Sequence, residues 1–268
     1  MSNKLGKVIV VKIGGATLGS HDTTIEDIAY LQKQGISLVI VHGGGNLVTG
    51  WLTKLGISTK FFEGERITDE ATLEVVTSVL AGLVNKEIVA GIIAAGGQAV
   101  GISGADGALI QGRIKDKERG LMGAVVKVNP ALLLALLQSG FVPVVAPVSL
   151  HSFDKPDKAP LLLNINGDTV AGEIAAAIGV VKLIFLTDVA GIFDQSGKLL
   201  SHLSADEAGA LMHSGVASGG MIPKIKASLK ALSNTSTTCI IDGKQPHALL
   251  REMEEGGCGT TIQSVYPR

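Results

Sequence analysis

The strongest constraint on this chain is a repeated alternation. Short β-branched runs that are apolar throughout, at residues 8–11, 38–41, 99–102, 142–148, 183–186 and 238–241, are separated by segments of helix length. A strand with one wet face alternates apolar and polar residues, whereas an unbroken apolar run suits a strand buried on both faces, as in a parallel sheet covered by helices. The intervening segments carry helix-end chemistry. Gly35 closes a segment running from about Asp22, and Thr68 precedes Asp69 and Glu70, acids that suit a helix N-terminus. Asn129 and Pro130 read as N-cap and first helical residue with Gly140 at the far end, and Ser204 with Glu207 fits a capping box. The predicted class is α/β, a mostly parallel sheet with helices on both faces and its sites at the carboxyl ends of the strands. The charged stretch 115–119 reads as an exposed loop or hairpin between short strands, and 154–160 as a mobile loop. A boundary near residue 180 would divide the chain into residues 1–180 and 181–268, on a sheet that could still run through both.

Composition narrows the function classes. A chain of 268 residues that is 46% hydrophobic but only 3% aromatic builds one sizeable core from Val, Ile, Leu and Ala. Its 23 basic and 24 acidic residues give a net charge of −1 with both signs scattered. That excludes the basic stripe expected of a nucleic-acid binder and the polybasic segment of a membrane-surface protein. Cys239 and Cys258 are too few for a disulfide framework and point to a reducing compartment. Mean hydropathy is positive, yet no apolar run reaches the roughly 18 residues of a spanning helix. The start lacks the basic, apolar and cleavage regions of a signal peptide. A cytoplasmic enzyme is the expectation.

Six motifs carry candidate chemistry, each with a plainer alternative. Lys12 lies inside an apolar strand, costly unless an anion pairs with it, and Gly14 and Gly15 follow, whose N–H groups could converge on phosphate. Equally, Lys12 could snorkel from a strand end while the glycines merely turn. His42-Gly43-Gly44-Gly45 joins a strand to a helix and permits close ligand approach, or is only a tight turn; His42 itself is either a packing residue or a chemical one. In Gly219-Gly220-Met221-Ile222-Pro223-Lys224, Pro223 suits a first helical position. Lys224 then opposes the helix dipole unless an anion binds there, or it is simply solvated. Asp168, after Asn164-Ile165-Asn166-Gly167, is an N-cap or else a carboxylate that aims two lysines at one point; Asn164 could then donate to a substrate carboxylate. Arg66 presents a fork suited to a carboxylate, or pairs with Glu63 or Glu65. Asp188 and Gly191 sit in a strand-end loop that could hold a nucleotide or be an ordinary turn.

Taken in order, VVKIGG, VIVHGGG, ERITD, LNINGD, LTDVAGIF and GGMIPK resemble the amino acid kinase family, and within it the branch that acts on N-acetyl-L-glutamate in arginine biosynthesis. The resemblance runs from Val8 to Ile262. It implies a three-layer αβα sandwich around a mainly parallel sheet of about eight strands, with an amino-acid-substrate lobe at 1–180 and a nucleotide-binding lobe at 181–268. It implies transfer of phosphate from ATP to the side-chain carboxylate of N-acetyl-L-glutamate, with Mg²⁺ held mainly on the phosphates rather than by a protein cage. Carried onto matching positions, Lys12 and Lys224 would stabilise the migrating phosphoryl group and Asp168 would organise them. Gly44 and Gly45 would bind the substrate side, and Arg66 and Asn164 the substrate's α-carboxylate. Gly14 and Gly15 would approach the ATP phosphates, and Asp188, Val189, Gly191, Phe193, Val216 and Ser218 would contact the nucleotide. Gly167 stands where the family usually has Ala, and Ala105 where Lys is common. About seven residues precede the first strand, so the resemblance argues against the N-terminal helix of arginine-inhibited hexamers and for a homodimer, with part of 71–95 at its interface. No nucleic-acid or membrane partner is expected.

Rival readings differ in class. A kinase of N-acetylaminoadipate or of a carrier-linked amino acid in lysine biosynthesis would keep the phosphoryl chemistry. A hydrolase would use His42-Gly43-Gly44-Gly45 as an oxyanion loop and Ser103 as nucleophile, but Ala105 replaces the last glycine of its elbow and both lysines go unexplained. A non-catalytic sensing module for amino acids or nucleotides would bind without turnover.

Overall fold

The computed structural model describes residues 7–15 and 23–264. Thirteen strands occur among them: β1 Val8–Ile13, β2 Ser37–His42, β3 Phe61–Phe62, β4 Glu65–Arg66, β5 Ala99–Gly104, β6 Ile110–Ile114, β7 Gly123–Val128, β8 Val142–His151, β9 Leu162–Asn164, β10 Lys182–Thr187, β11 His202–Ser204, β12 Thr237–Asp242 and β13 Gly259–Gln263. The α-helices are α1 Thr24–Lys33, α2 Gly45–Lys54, α3 Glu70–Thr77, α4 Asn85–Ala94, α5 Ala131–Gln138, α6 Gly167–Ile178, α7 Ala205–His213, α8 Met221–Ala231 and α9 Ala248–Glu254.

Eleven strands form one sheet in the order β11-β13-β12-β10-β1-β2-β8-β6-β7, with β5 and β9 also paired to the long β8. The neighbours of β1, on both sides, are parallel to it. The resemblance implies about eight strands; pieces such as β9 and β11, three residues each, are too short to stand out as runs of their own. All six predicted runs are strands, each extended by two or three residues. Since β10 pairs with β1, the sheet crosses the predicted boundary at residue 180 without a break.

Side chains alternate across a strand, and here both faces are covered. Ile9, Val11 and Ile13 of β1 pack with α1, α2, α4 and α9 residues such as Ile28, Leu52, Ile88 and Leu249. Val8 and Val10 face the other layer, with Leu133 of α5, Ile174 of α6 and Ile225 of α8. By the same alternation Lys12 points into the α6–α8 layer and His42 of β2 into the α4 layer. These are the three layers the sequence implies.

Helix ends follow local chemistry with shifts of one or two residues. The Ser204–Glu207 capping box is present. Asp69 rather than Thr68 caps α3, accepting from Thr72 N, and α5 starts one residue after Pro130. Pro223 is the third residue of α8, still among the first four positions whose N–H would lack a helical partner. Helix α1 begins at Thr24, and Asp22 lies outside the described residues. Helix α3, a π-helical turn at Ser78–Val84 and α4 form one rod, Glu70–Ala94, long and apolar enough by length and composition to cross a bilayer. Its inner residues pack on the sheet, Val76, Leu80, Val84 and Ile92 among them, and it carries Glu74, Lys86 and Glu87. It is a core helix with an apolar outer side, where Leu83 and Ile93 are exposed.

The closest approach in the α6–α8 layer is made by Gly172, where a Cβ would lie 2.5 Å from Ala227 O. Gly172 is one turn from Asp168, and Ala227 is three residues from Lys224, so this contact joins the helix faces that carry both charges. Replacing Gly172 by Ala should cost about 1–3 kcal/mol, as overpacking does, and lower the catalytic rate. Urea unfolding and steady-state rates on the same variant check this.

Candidate active site

The glycine loops after β1 and β2 lie side by side at the carboxyl edge of the sheet. Gly14 N donates to Leu186 O on β10 and Gly43 N to Ile13 O on β1, both at 2.9 Å, extending the ladder past the strand ends. A Cβ on Gly15 would sit 3.0 Å from Gly44 N, so the two loops touch backbone to backbone. Gly44 has φ +143, and a Cβ there would meet Leu80 at 2.7 Å; only glycine serves. It precedes α2, whose first N–H groups receive no side-chain cap. A helix start left open in this way suits an anion.

Beside these loops three charges meet. Lys12 Nζ is 2.7 Å from Asp168 Oδ1, and Lys224 Nζ is 3.3 Å from Asp168 Oδ2. Lys224 also donates to Gly220 O at 3.1 Å. The side chains are 9%, 7% and 14% exposed for Lys12, Asp168 and Lys224, which rules out a solvated lysine at either position. Asp168 is not the N-cap of α6. Asn166 is, its Oδ1 accepting from Asp168 N at 2.8 Å and from Thr169 N. That frees the Asp168 carboxylate for the lysines. Burial pushes its carboxyl up, but the charges and hydrogen bonds of Lys12 and Lys224 outweigh this and hold it below the usual carboxylate range. Two cations against one carboxylate leave one unit of positive charge at the carboxyl edge of the sheet. At Gly167, which departs from the family pattern, a Cβ would lie 3.6 Å from Lys12 Cε, an ordinary contact, and 3.3 Å from His42 O.

A cavity of about 170 Å³ is lined by Gly45, Arg66, Leu80, Met122, Asn164 and Asn166 among others, and joins the triad through Asn166, which accepts from Asp168 N. Arg66 donates to Gly45 O at 3.0 Å and Thr49 Oγ1 at 2.8 Å, and lies 4.9 Å from the Phe61 ring. Its Nη1 is buried with no partner among the described residues. Burial pulls this guanidinium down from its ordinary value. The pairing with Glu63 or Glu65 that the sequence allows does not form: Glu65 lies on the opposite face of its short strand from Arg66, and both acids are bound by Arg119. Asn164 donates to Thr68 Oγ1 at 3.1 Å and is 8% exposed. A second cavity of about 560 Å³ runs from Glu63 and Glu65 past Thr169 to Gly219, Pro223 and Lys226 at the start of α8.

The presumptive nucleotide residues divide. Asp188 follows β10 directly and accepts from Thr187 Oγ1 at 3.2 Å. Gly191 is wedged against β13, where a Cβ would lie 2.5 Å from Thr260 Oγ1, and Val189 and Phe193 are exposed at 40% and 41%. Val216 is half-buried and Ser218 exposed, just ahead of α8. Sequence reasoning passed over Thr68, Asn166 and Arg119. Asn166 had a signal, an Asn two residues before an acid that opens a helix. Arg119 had none: the stretch 115–119 is the predicted hairpin loop, but Arg119 within it is 7% exposed. The hydrolase reading finds no support at Ser103, whose hydroxyl goes to Asp106 at 2.8 Å.

His42 supports the loop from behind. Nδ1 lies 2.8 Å from Gly43 O, so it carries the proton, and Nε2 accepts from Asn85 Nδ2 at 3.3 Å. Burial lowers its pKa to about 4, against the Gly43 hydrogen bond, with Lys12 and Lys86 adding to the lowering. It is a packing and positioning residue.

The family model described as amino acid kinase family matches residues 7–242. Acetylglutamate kinase from Dehalococcoides mccartyi strain CBDB1 is 49% identical over 268 residues, covering 100% of this chain and 98% of that one. Acetylglutamate kinase from Cereibacter sphaeroides strain ATCC 17029 is 44% identical, covering 98% and 90%. The crystal structure of smu.665 from Streptococcus mutans UA159 superposes with a TM-score of 0.81 at 25% identity, covering 96% and 99%. The chain belongs to the amino acid kinase family.

A depressed histidine pKa has a definite sign. Above the ordinary value of 6.5 both folded and unfolded states are neutral, and the full stability is present. As pH falls from 6.5 towards about 4 the unfolded state takes the proton first, removing about 3 kcal/mol of stability. Denaturant unfolding across this window should show a slope that His42→Gln reduces.

Proposed function

We propose that this chain transfers the terminal phosphoryl group of ATP to the side-chain carboxylate of N-acetyl-L-glutamate, forming N-acetyl-L-glutamyl 5-phosphate in arginine biosynthesis. The carrying observation is the buried Lys12–Asp168–Lys224 triad beside a small cavity that holds an uncompensated arginine. Membership of a kinase family and the two acetylglutamate kinases aligned over the whole chain support the same reading.

The attacking carboxylate is already ionised near neutral pH, so no general base is required. The difficulty is bringing two anions together, and positioning with electrostatic compensation meets it. Arg66, with a free Nη1, and Asn164 would hold the α-carboxylate of the acid. Gly44 and Gly45 would present N–H groups to the substrate side. Lys12 and Lys224, aimed by Asp168, would compensate charge on the phosphoryl group in flight. Gly14 and Gly15 would lie against the phosphates, and Asp188, Val189, Gly191, Phe193, Val216 and Ser218 would line the nucleotide. Among the described residues no group of three carboxylate, thiol or imidazole side chains is placed to hold a metal ion. Mg²⁺ would be carried mainly on the phosphates, where it would neutralise charge and orient oxygens. On this reading residues 1–180 form the acid's lobe and 181–268 the nucleotide's lobe of one continuous sheet, in a cytoplasmic enzyme.

ATP consumption with hydroxamate trapping of the acyl phosphate tests the reading against free glutamate and N-acetylaminoadipate. N-acetylglutamate should give the highest kcat/KM. Lys12→Ala and Lys224→Ala should each lower kcat by about a hundredfold or more with smaller changes in KM; variants that turn over at the wild-type rate would refute the assignment.

The outer side of the Glu70–Ala94 rod, with Leu83 and Ile93 exposed, supports a homodimer that uses part of 71–95. Light scattering should give twice the monomer mass, and a monomer at working concentration would reject this interface.

A further inference from the structure

The β3–β4 hairpin has two faces, each with an arginine stacked on a phenylalanine. Glu63 and Gly64 form its two-residue turn with φ 48° and 79°, the positive values a tight hairpin of this kind requires. Cross-strand pairing puts Phe61 with Arg66 and Phe62 with Glu65, on opposite faces. Arg66 lies 4.9 Å from the Phe61 ring, towards the small cavity. Arg119 comes from the β6–β7 loop and lies 4.5 Å from the Phe62 ring. One guanidinium on that side takes three carboxylates: Glu65 at 2.9 Å from Nε, and Glu63 and Asp116 through its two terminal nitrogens. Lys115 also holds Glu65, at 2.7 Å. The backbone around Arg119 is tied to the same place. Thr68 N donates to Arg119 O, Leu121 N donates to Thr68 O, and Thr68 Oγ1 serves both Arg66 O and Asn164 Nδ2.

We propose that Arg119 is a positioning residue for the acid substrate, taking up Glu63 and Glu65 so that Arg66, in the same hairpin, keeps its buried guanidinium vacant for the substrate's α-carboxylate. Glu63, in the turn, is the nearer competitor for a half-satisfied arginine, and Glu65 reaches it only where the two-residue strands give up the alternation that the Arg119 contacts hold. A guanidinium with five donors in a rigid fork is the one side chain able to occupy several carboxylates at once, and stacking on Phe62 fixes its plane. The same contacts hold the hairpin's outer face to the β6–β7 loop. The inference rests on the substrate reading above, which assigns a carboxylate to Arg66.

Steady-state kinetics on Arg119→Leu test it, since leucine keeps the backbone bonds of residues 119–121 and removes only the fork. KM for N-acetylglutamate should rise by about tenfold or more, with kcat and the KM for ATP changed by less than about threefold. Adding Glu63→Gln and Glu65→Gln to Arg119→Leu should bring KM back to within about threefold of wild type, because glutamine does not compete for Arg66. The α-amide of N-acetylglutamate, which lacks the anion that Arg66 holds, should be turned over poorly by wild type and no worse by Arg119→Leu. If Arg119→Leu does not fold, Arg119→Lys, with charge but no fork, should show a smaller rise reversed by the same glutamines. An unmoved KM overturns the inference, and so does a raised KM that the glutamines fail to restore, since that would leave Arg119 a mechanical brace. Wild type inactive on N-acetylglutamate would sink the parent reading and this one together; active wild type with an indifferent Arg119 sinks this one alone.

Discussion

One buried carboxylate shared by two ammonium groups organises this molecule. Asp168 could not stay ionised at its depth without Lys12 and Lys224, and neither lysine could sit so far from water without it. Breaking such a pair typically costs about 3–5 kcal/mol because it strands a charge, so the arrangement constrains the fold as well as the chemistry. It requires β1, α6 and α8 to converge, and Gly172 against Ala227 permits the two helices to approach closely enough. The surplus positive charge is then a built-in demand for an anion.

The same accounting of charge extends to the substrate side. Arg66 is buried with part of its guanidinium unmatched, while the acids nearest to it in sequence are engaged by Arg119. Backbone donors complete the picture. The glycine loops after β1 and β2 touch one another, and α2 starts without a side-chain cap, so N–H dipoles and lysine charges point towards the same end of the sheet.

Much of this was legible before the structure. Unbroken apolar runs located the central strands, because a parallel strand buried on both faces has no polar alternation to confuse it. The period of two in β1 already separates Lys12 from Ile9, Val11 and Ile13 and puts it with Val8 and Val10. Helix ends were readable to within a residue or two; the shifts at Thr68, Asp168 and Pro223 arose because several neighbouring polar residues could each serve as cap, and only backbone geometry selects among them. Short strands such as β9 and β11 were not read, since three residues are too few to show a pattern of their own.

What the sequence by itself determined was the α/β architecture, the glycine-bearing turns, and a lysine in an apolar strand that called for an anionic partner; burial and periodicity act locally and leave marks at fixed spacing. What only the tertiary structure decided was partnership. That Asp168 bridges two lysines rather than capping its helix, that His42 is a neutral support, and that Arg119 rather than Arg66 holds Glu63 and Glu65 are choices among groups that the chain alone leaves open. Distance and desolvation make those choices, and both exist only once distant segments have folded together.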